Sequence, residues 1–210
     1  MPKAYASPAR LEAFSDGVIA VIITIMVLDL KVPRDLGLTG FVAVLPTLAV
    51  YLLSFAFTGV YWVNHHHLVR RTDRANEPIL YANLFFLFCL SLLPFFTAYV
   101  LDHKMDSFSV GIYVASMMLI GASFLLLRLS IGHDLRQTGQ LQYQDTDAER
   151  KHWISLLLYL VAIGLSLHHP LIALGIVALI SIFWIVPTAR IVPPATCATE
   201  DNPGKHPSAS

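Results

Sequence analysis

Six apolar stretches separated by short polar links constrain this chain more than anything else in it. They run roughly over 11–32, 40–63, 78–101, 108–131, 153–167 and 171–192. A bilayer's hydrocarbon core, about 30 Å thick, takes about 20 apolar residues of helix to cross. It accepts only elements that satisfy their own backbone polar groups. More than half of the residues are apolar and only 13% are charged, which rules out a soluble domain. The fold class is therefore all-α: a polytopic membrane protein with six transmembrane helices. Pro78 suits the first turn of the third span, and Pro94 predicts a kink near its far end. The segment 132–152 is the one sizeable hydrophilic link, and its mixed charges read as a solvated linker. Spans one to three carry most of the polar residues; spans four to six are blander and read as a surrounding wall.

Basic residues set the orientation. With the N-terminus inside, the inner segments hold Lys3, Arg10, Arg70, Arg71, Arg74, Arg128, Arg136, Arg150, Lys151, Arg190 and Lys205, and the outer segments hold Lys31, Arg34 and Lys104. Eleven against three places both termini in the cytoplasm of a cell-membrane protein. The expected division is a cytoplasmic segment 1–9, a six-helix transmembrane domain 10–192 and a disordered cytoplasmic tail 193–210, which opens on Pro193-Pro194. Cys89 and Cys197 offer no disulfide framework. Phe14-Ser15-Asp16 interrupts the first apolar run, and no small-x-small site follows, so a cleaved signal peptide is not expected.

The first span carries a carboxylate at each end. Asp16 and Asp29 are thirteen residues apart, about 20 Å along a helix. That is too short for a lone helix in lipid, and it points to a helix surrounded by protein or lining a water-filled path. Topology brings Arg10, Ser15 and Asp16 to the same depth as His65 and Asn83, so these can form a polar clasp that fixes the first helix. The alternative is separate wetting of each group at the interface. His65-His66-His67 does not read as a metal site, because successive helix residues point about 100° apart. His168-His169 reads as an outer turn. Ser91, Thr97, Ser116, Ser123 and Ser166 are single small polar residues of the kind that mediate helix packing, and Arg128 reads as a snorkelling end group. There is no zinc-ligand set, nucleophile motif or phosphate loop, so no catalytic residue, metal or cofactor is expected, and no nucleic-acid partner.

Gly17, Val21, Thr24, Ile25 and Leu28 share one face of the first helix. In one copy such a face simply packs. Several copies around an axis would stack aliphatic rings with a hydroxyl layer, which can gate by dewetting and coordinate a partly stripped cation. Periodicity alone does not separate this from ordinary core. The helix C-terminus would add partial negative charge beside Asp29 at the outer mouth.

The segment Arg10-Leu-Glu-Ala-Phe14-Ser15-Asp16 matches the R-x-x-x-F-S-D signature that opens the first helix of the endolysosomal potassium channel family, of the transmembrane protein 175 type. Trp62-Val-Asn-His65 resembles that family's W-x-x-H, and Asn83-Leu with Leu93-Pro94 resembles its N-L and L-P elements. The resemblance covers about 8–192. It implies a one-repeat bacterial member that assembles as a homotetramer, with four first helices lining a central pore. It implies a hydrophobic constriction at Val21, where isoleucine or leucine is usual, so a wider ring is expected. Ile25 and Leu28 would be further pore-facing positions, and Thr24 the layer tied to potassium preference. Arg10, Phe14, Ser15, Asp16, His65 and Asn83 would hold the pore helix. The implied activity is passive conduction of potassium with modest selectivity over sodium; the implied partners are other copies of the chain, membrane lipid and potassium ions. The alternative is a proton- or ion-coupled secondary transporter in which Asp16 and His65 relay protons, although the first span has no helix break of the kind such transporters use.

Overall fold

The computed structural model describes residues 7–28, 30–31, 37–140 and 143–185, and its described elements are seven helices. The helices are α1 (Pro8–Leu28), α2 (Gly37–Val69), α3 (Glu77–Ser91), α4 (Leu93–Asp102), α5 (Ser107–Gln137), α6 (Tyr143–Ser166) and α7 (Pro170–Ile185). Asp29, the tail 193–210 and residues 1–6 lie outside the described residues.

Local chemistry explains the boundaries. Asn76 caps α3 by accepting from the Ile79 amide at 3.1 Å, and Pro78 follows where a missing N–H does no harm. Pro94 has no N–H to continue the ladder, and the third span divides at Leu92, whose amide bonds the Cys89 carbonyl at 3.3 Å. The kink expected near the end of that span is thus a break between two successive helices. Asp106 caps α5 by accepting from the Ser109 amide at 2.7 Å. Donation from the Ser109 side chain and backbone holds the Asp106 carboxyl below the usual carboxylate range. At the far end of α5, Gly139 takes the left-handed conformation (φ 71°) and Gln140 donates to the Leu135 carbonyl, which closes the helix and turns the chain.

Two expectations need correction. The segment 132–152 is not a linker: α5 continues to Gln137, and α6 starts at Tyr143. Mixed charge here marks the helix ends that stand proud of the apolar layer, with Arg136 and Glu149 3.6 Å apart across the two helices. Nor do the later spans form a wall around the earlier ones. α5 is the centre of the subunit, packed against α3, α4, α6 and α7. Val110, Tyr113, Val114, Met117, Ile120, Phe124 and Leu127 are all fully buried on it. Its serines donate to their own helix, Ser116 to the Tyr113 carbonyl and Ser123 to the Ile120 carbonyl, so they bring small size without an unmet donor. A Cβ on Gly121 would come within 3.1 Å of the Tyr61 hydroxyl, which shows how closely α2 approaches. α1 lies against α2, α3 and α4 on one side only.

Among the described residues, four stretches are long and apolar enough to cross a membrane: α1, α2, α3 with α4 as one span, and α5. α7 is a shorter apolar helix. The chain is a multi-pass membrane protein.

Candidate functional site

α1 has two unlike faces. Leu11, Ser15, Ile19, Ile22 and Met26 recur at helical spacing and are buried against the rest of the subunit. Val21 and Ile25, about half exposed, and Leu28, 80% exposed, stand on the other side with Thr24 and Phe14. The four residues expected to face a pore therefore face away from the subunit's own core. Thr24 spends its single proton inward, on the Val21 carbonyl at 2.9 Å and the Ala20 carbonyl at 3.1 Å. Its lone pairs are left pointing away from the helix, as acceptors.

The buried face of α1 is anchored by a directed chain of hydrogen bonds. Ser15 Oγ donates to the Leu11 carbonyl at 2.9 Å. Asn83 Nδ2 of α3 donates to Ser15 Oγ at 3.0 Å. That commits the Asn83 carbonyl oxygen to His65 of α2, 2.8 Å from Nε2. An amide oxygen can only accept, so Nε2 carries the proton and the neutral ring has Nδ1 as a bare lone pair. Among the described residues Nδ1 has no partner; the ring stacks on Phe86 at 5.9 Å. Ser15, His65 and Asn83 are all fully buried, so each bond in this chain replaces one that water could have made.

Asp16 and Arg10 stand elsewhere. Asp16 is half-buried one residue round the helix from Ser15, and accepts from Trp62 Nε1 at 2.9 Å. One turn earlier Glu12 meets His66 Nδ1 at 2.7 Å. Glu12 and Asp16 are spaced i, i+4 on α1, as are Trp62 and His66 on α2, so two antiparallel helices meet through two matched rungs. Arg10 is exposed and joins neither set, and Phe14 is exposed as well. The expected six-residue clasp is thus distributed: three residues in a buried chain, Asp16 in a separate ladder, two on the surface. Sequence reasoning passed over Glu12, Trp62 and His66 as contact residues; their matching i, i+4 spacing was the available signal.

The imidazoles of 65–67 diverge, toward Asn83, toward Glu12, and, for the exposed His67, edge-on to the His66 ring. Farther along α2, Ser54 Oγ joins Thr97 Oγ1 of α4 at 2.9 Å and the Tyr113 hydroxyl of α5 at 2.7 Å, a buried hydroxyl node tying three helices. At the end of α1 opposite the arginine-rich turns, Lys31 bonds Asp102 of α4 at 2.6 Å.

The family model of the endosomal/lysosomal potassium channel TMEM175 matches residues 10–94, the stretch that carries every contact of the anchor. A potassium channel of Chryseobacterium sp. (strain P1-3) is 37% identical over 182 residues, 87% of this chain and 94% of that one. The chain belongs to the TMEM175 potassium channel family. It is a channel-family protein, not an enzyme. A potassium channel of Streptomyces collinus is 32% identical over 143 residues, 66% of this chain and 69% of that one. The crystal structure of a lysosomal potassium-selective TMEM175 homolog from Chamaesiphon minutus superposes with a TM-score of 0.75 at 27% identity, covering 85% of this chain and 96% of that one. The zebrafish endosomal/lysosomal proton channel TMEM175 is 27% identical over 154 residues, 70% of this chain but 30% of its own length.

Proposed function

We propose that four copies of this chain assemble around a common axis with α1 innermost and conduct potassium passively through the cell membrane, with modest selectivity over sodium. The observation that carries this is the division of α1. Its Ser15–Met26 face is used up inside the subunit, while Val21, Ile25 and Leu28 are left open although they are aliphatic. An aliphatic face left open on the outside of a subunit needs either lipid or other copies of itself. Four such faces form rings narrow enough to close by dewetting, with Val21 as the constriction and Ile25 and Leu28 beyond it. Thr24 supplies the selectivity layer, and its outward lone pairs are the right polarity for a cation.

Taking α3 and α4 as one span gives six transmembrane helices in a channel domain of 10–192. The excess of basic residues at one end supports cytoplasmic termini. Asp29 would sit at the outer mouth and concentrate cations. Ser15, His65 and Asn83 hold the pore helix from behind, and Asp16 holds it through Trp62. A proton-coupled transporter would need Asp16 and His65 to exchange a proton, but each is bonded to a different partner, which favours the channel.

The test is flux. Purified protein in potassium-loaded liposomes should release potassium down its gradient with no second ion required, and its mass in detergent should be that of a tetramer. Liposomes that hold their potassium, or a monomeric mass, would sink the proposal.

A further inference from the structure

One charged residue lies on the open face of α1. At about 100° per residue, Arg10 falls within roughly 40° of Gly17, Val21, Thr24 and Leu28. It stands eleven residues before Val21, about 16 Å along the helix. No other charge of α1 shares that stripe: Glu12 lies roughly 160° and Asp16 roughly 120° round the helix from Arg10. Both acids are engaged elsewhere, Glu12 with His66 Nδ1 at 2.7 Å and Asp16 with Trp62 Nε1 at 2.9 Å. Arg10 is exposed, and among the described residues its guanidinium meets no acid or other hydrogen-bond acceptor. Residues 1–6 hold Lys3 and no acid. The first turn of α1 holds no acid either, so its free N–H groups add charge of the same sign.

We propose that Arg10 sets the direction in which the pore conducts better: four guanidiniums ring its cytoplasmic mouth and thin out cations there, so potassium leaves the cell more slowly than it enters. This rests on α1 being the pore helix, with its N-terminus inside. A fourfold ring that turns Val21 to the axis turns Arg10 to the same side. A ring of like charge lowers the local concentration of the permeant ion by the Boltzmann factor of its potential, and clustered charges reach potentials of several kT. A guanidinium stays protonated at any pH the fold survives, so the effect is fixed in sign. Salt removes it, because the screening length falls from about 8 Å at 0.15 M to about 3 Å at 1 M. Arg10 thus shapes conduction at a distance, whereas Thr24 would act by contact with the ion. An acceptor able to cancel the ring is the second carboxylate oxygen of Asp16 in a neighbouring copy, and that arrangement predicts different results.

Inside-out membrane patches with equal potassium chloride on both sides read the effect. At about 0.15 M the wild type should pass inward current about twofold larger than outward at equal and opposite voltages, and the ratio should approach one at about 1 M. Arg10→Gln should bring the ratio near one at the lower salt and leave the potassium-to-sodium ratio unchanged. Arg10→Cys should match it. A cationic methanethiosulfonate applied from the cytoplasmic side should then restore the inward preference, and an anionic one should reverse it, with treated wild type as the control for Cys89 and Cys197. Equal currents in the wild type at low salt, a preference that persists at high salt, or one unchanged in Arg10→Gln would overturn the assignment and leave the pore in place. A loss of tetrameric mass in Arg10→Gln would mean that the guanidinium holds a neighbouring copy, which overturns the ring as well. Patches without any potassium current would overturn the pore itself, and the ring with it.

Discussion

α5 and α1 are both long apolar helices, and hydropathy barely distinguishes them, yet they are opposites in the folded subunit. Of the most apolar eighteen residues of each, 61% are buried in α5 and 28% in α1. α5 meets protein over most of its surface, with a stripe through Leu119, Leu126 and Leu129 left open, and spends its serines on its own carbonyls. α1 spends one face on an anchor and leaves the other open. The lesson is a division of labour: the most enclosed of the long apolar helices carries the stability, and a helix with one open face carries the candidate pore. A helix that must present a surface to other copies cannot also be the core of its own subunit.

That contrast can be broken by substitution. The largest effect should come from Phe124→Ala in α5. Phe124 sits between the rings of Tyr61, Phe86 and His152, each with its centroid 5.1–5.2 Å away. The cavity should cost about 3 kcal/mol, read as a fall in the thermal unfolding midpoint in detergent. If ion selectivity changed while stability held, the division of labour would be wrong. Next is Asn83→Leu, which keeps the bulk but leaves the His65 Nε2–H facing carbon. The expected loss is about 2 kcal/mol, and adding His65→Leu should recover part of it, because an unmet buried donor costs more than the bond contributes. A double variant no better than the single would remove the anchor from the account. Lys31→Ala should cost less than about 1 kcal/mol, since both partners are largely exposed. Smallest in stability, within about 0.5 kcal/mol, is Val21→Ala. Its effect should fall on conduction instead, as a change in single-channel current or in the potassium-to-sodium ratio. A Val21→Ala channel with unaltered current and ratio would take Val21 out of the constriction.

The sequence was legible where depth alone decides. Span order and orientation put Ser15, His65 and Asn83 in one layer, and the structure brings those three into contact. It was illegible where azimuth decides. Arg10 shares their depth, but the face defined by Leu11, Ser15 and Ile19 leaves it about 100° out of line, and the same rotation sends Asp16 to Trp62. Charge misled in 132–152, where residues typical of loops prolong α5 and start α6. The centrality of α5 was not legible because a helix buried over most of its surface has few charged residues to mark it, while α1 carries polar groups at both ends.

The break at Leu92 has a mechanical consequence. α1 is held to α3 near one end through Asn83 and Ser15, and beyond its other end Lys31 reaches Asp102 of α4 in an exposed ion pair. Leu92 lies between those two fastenings. α1 is therefore a beam on two bearings that straddle a joint, and any change of angle at the joint tilts the beam with no need to bend it.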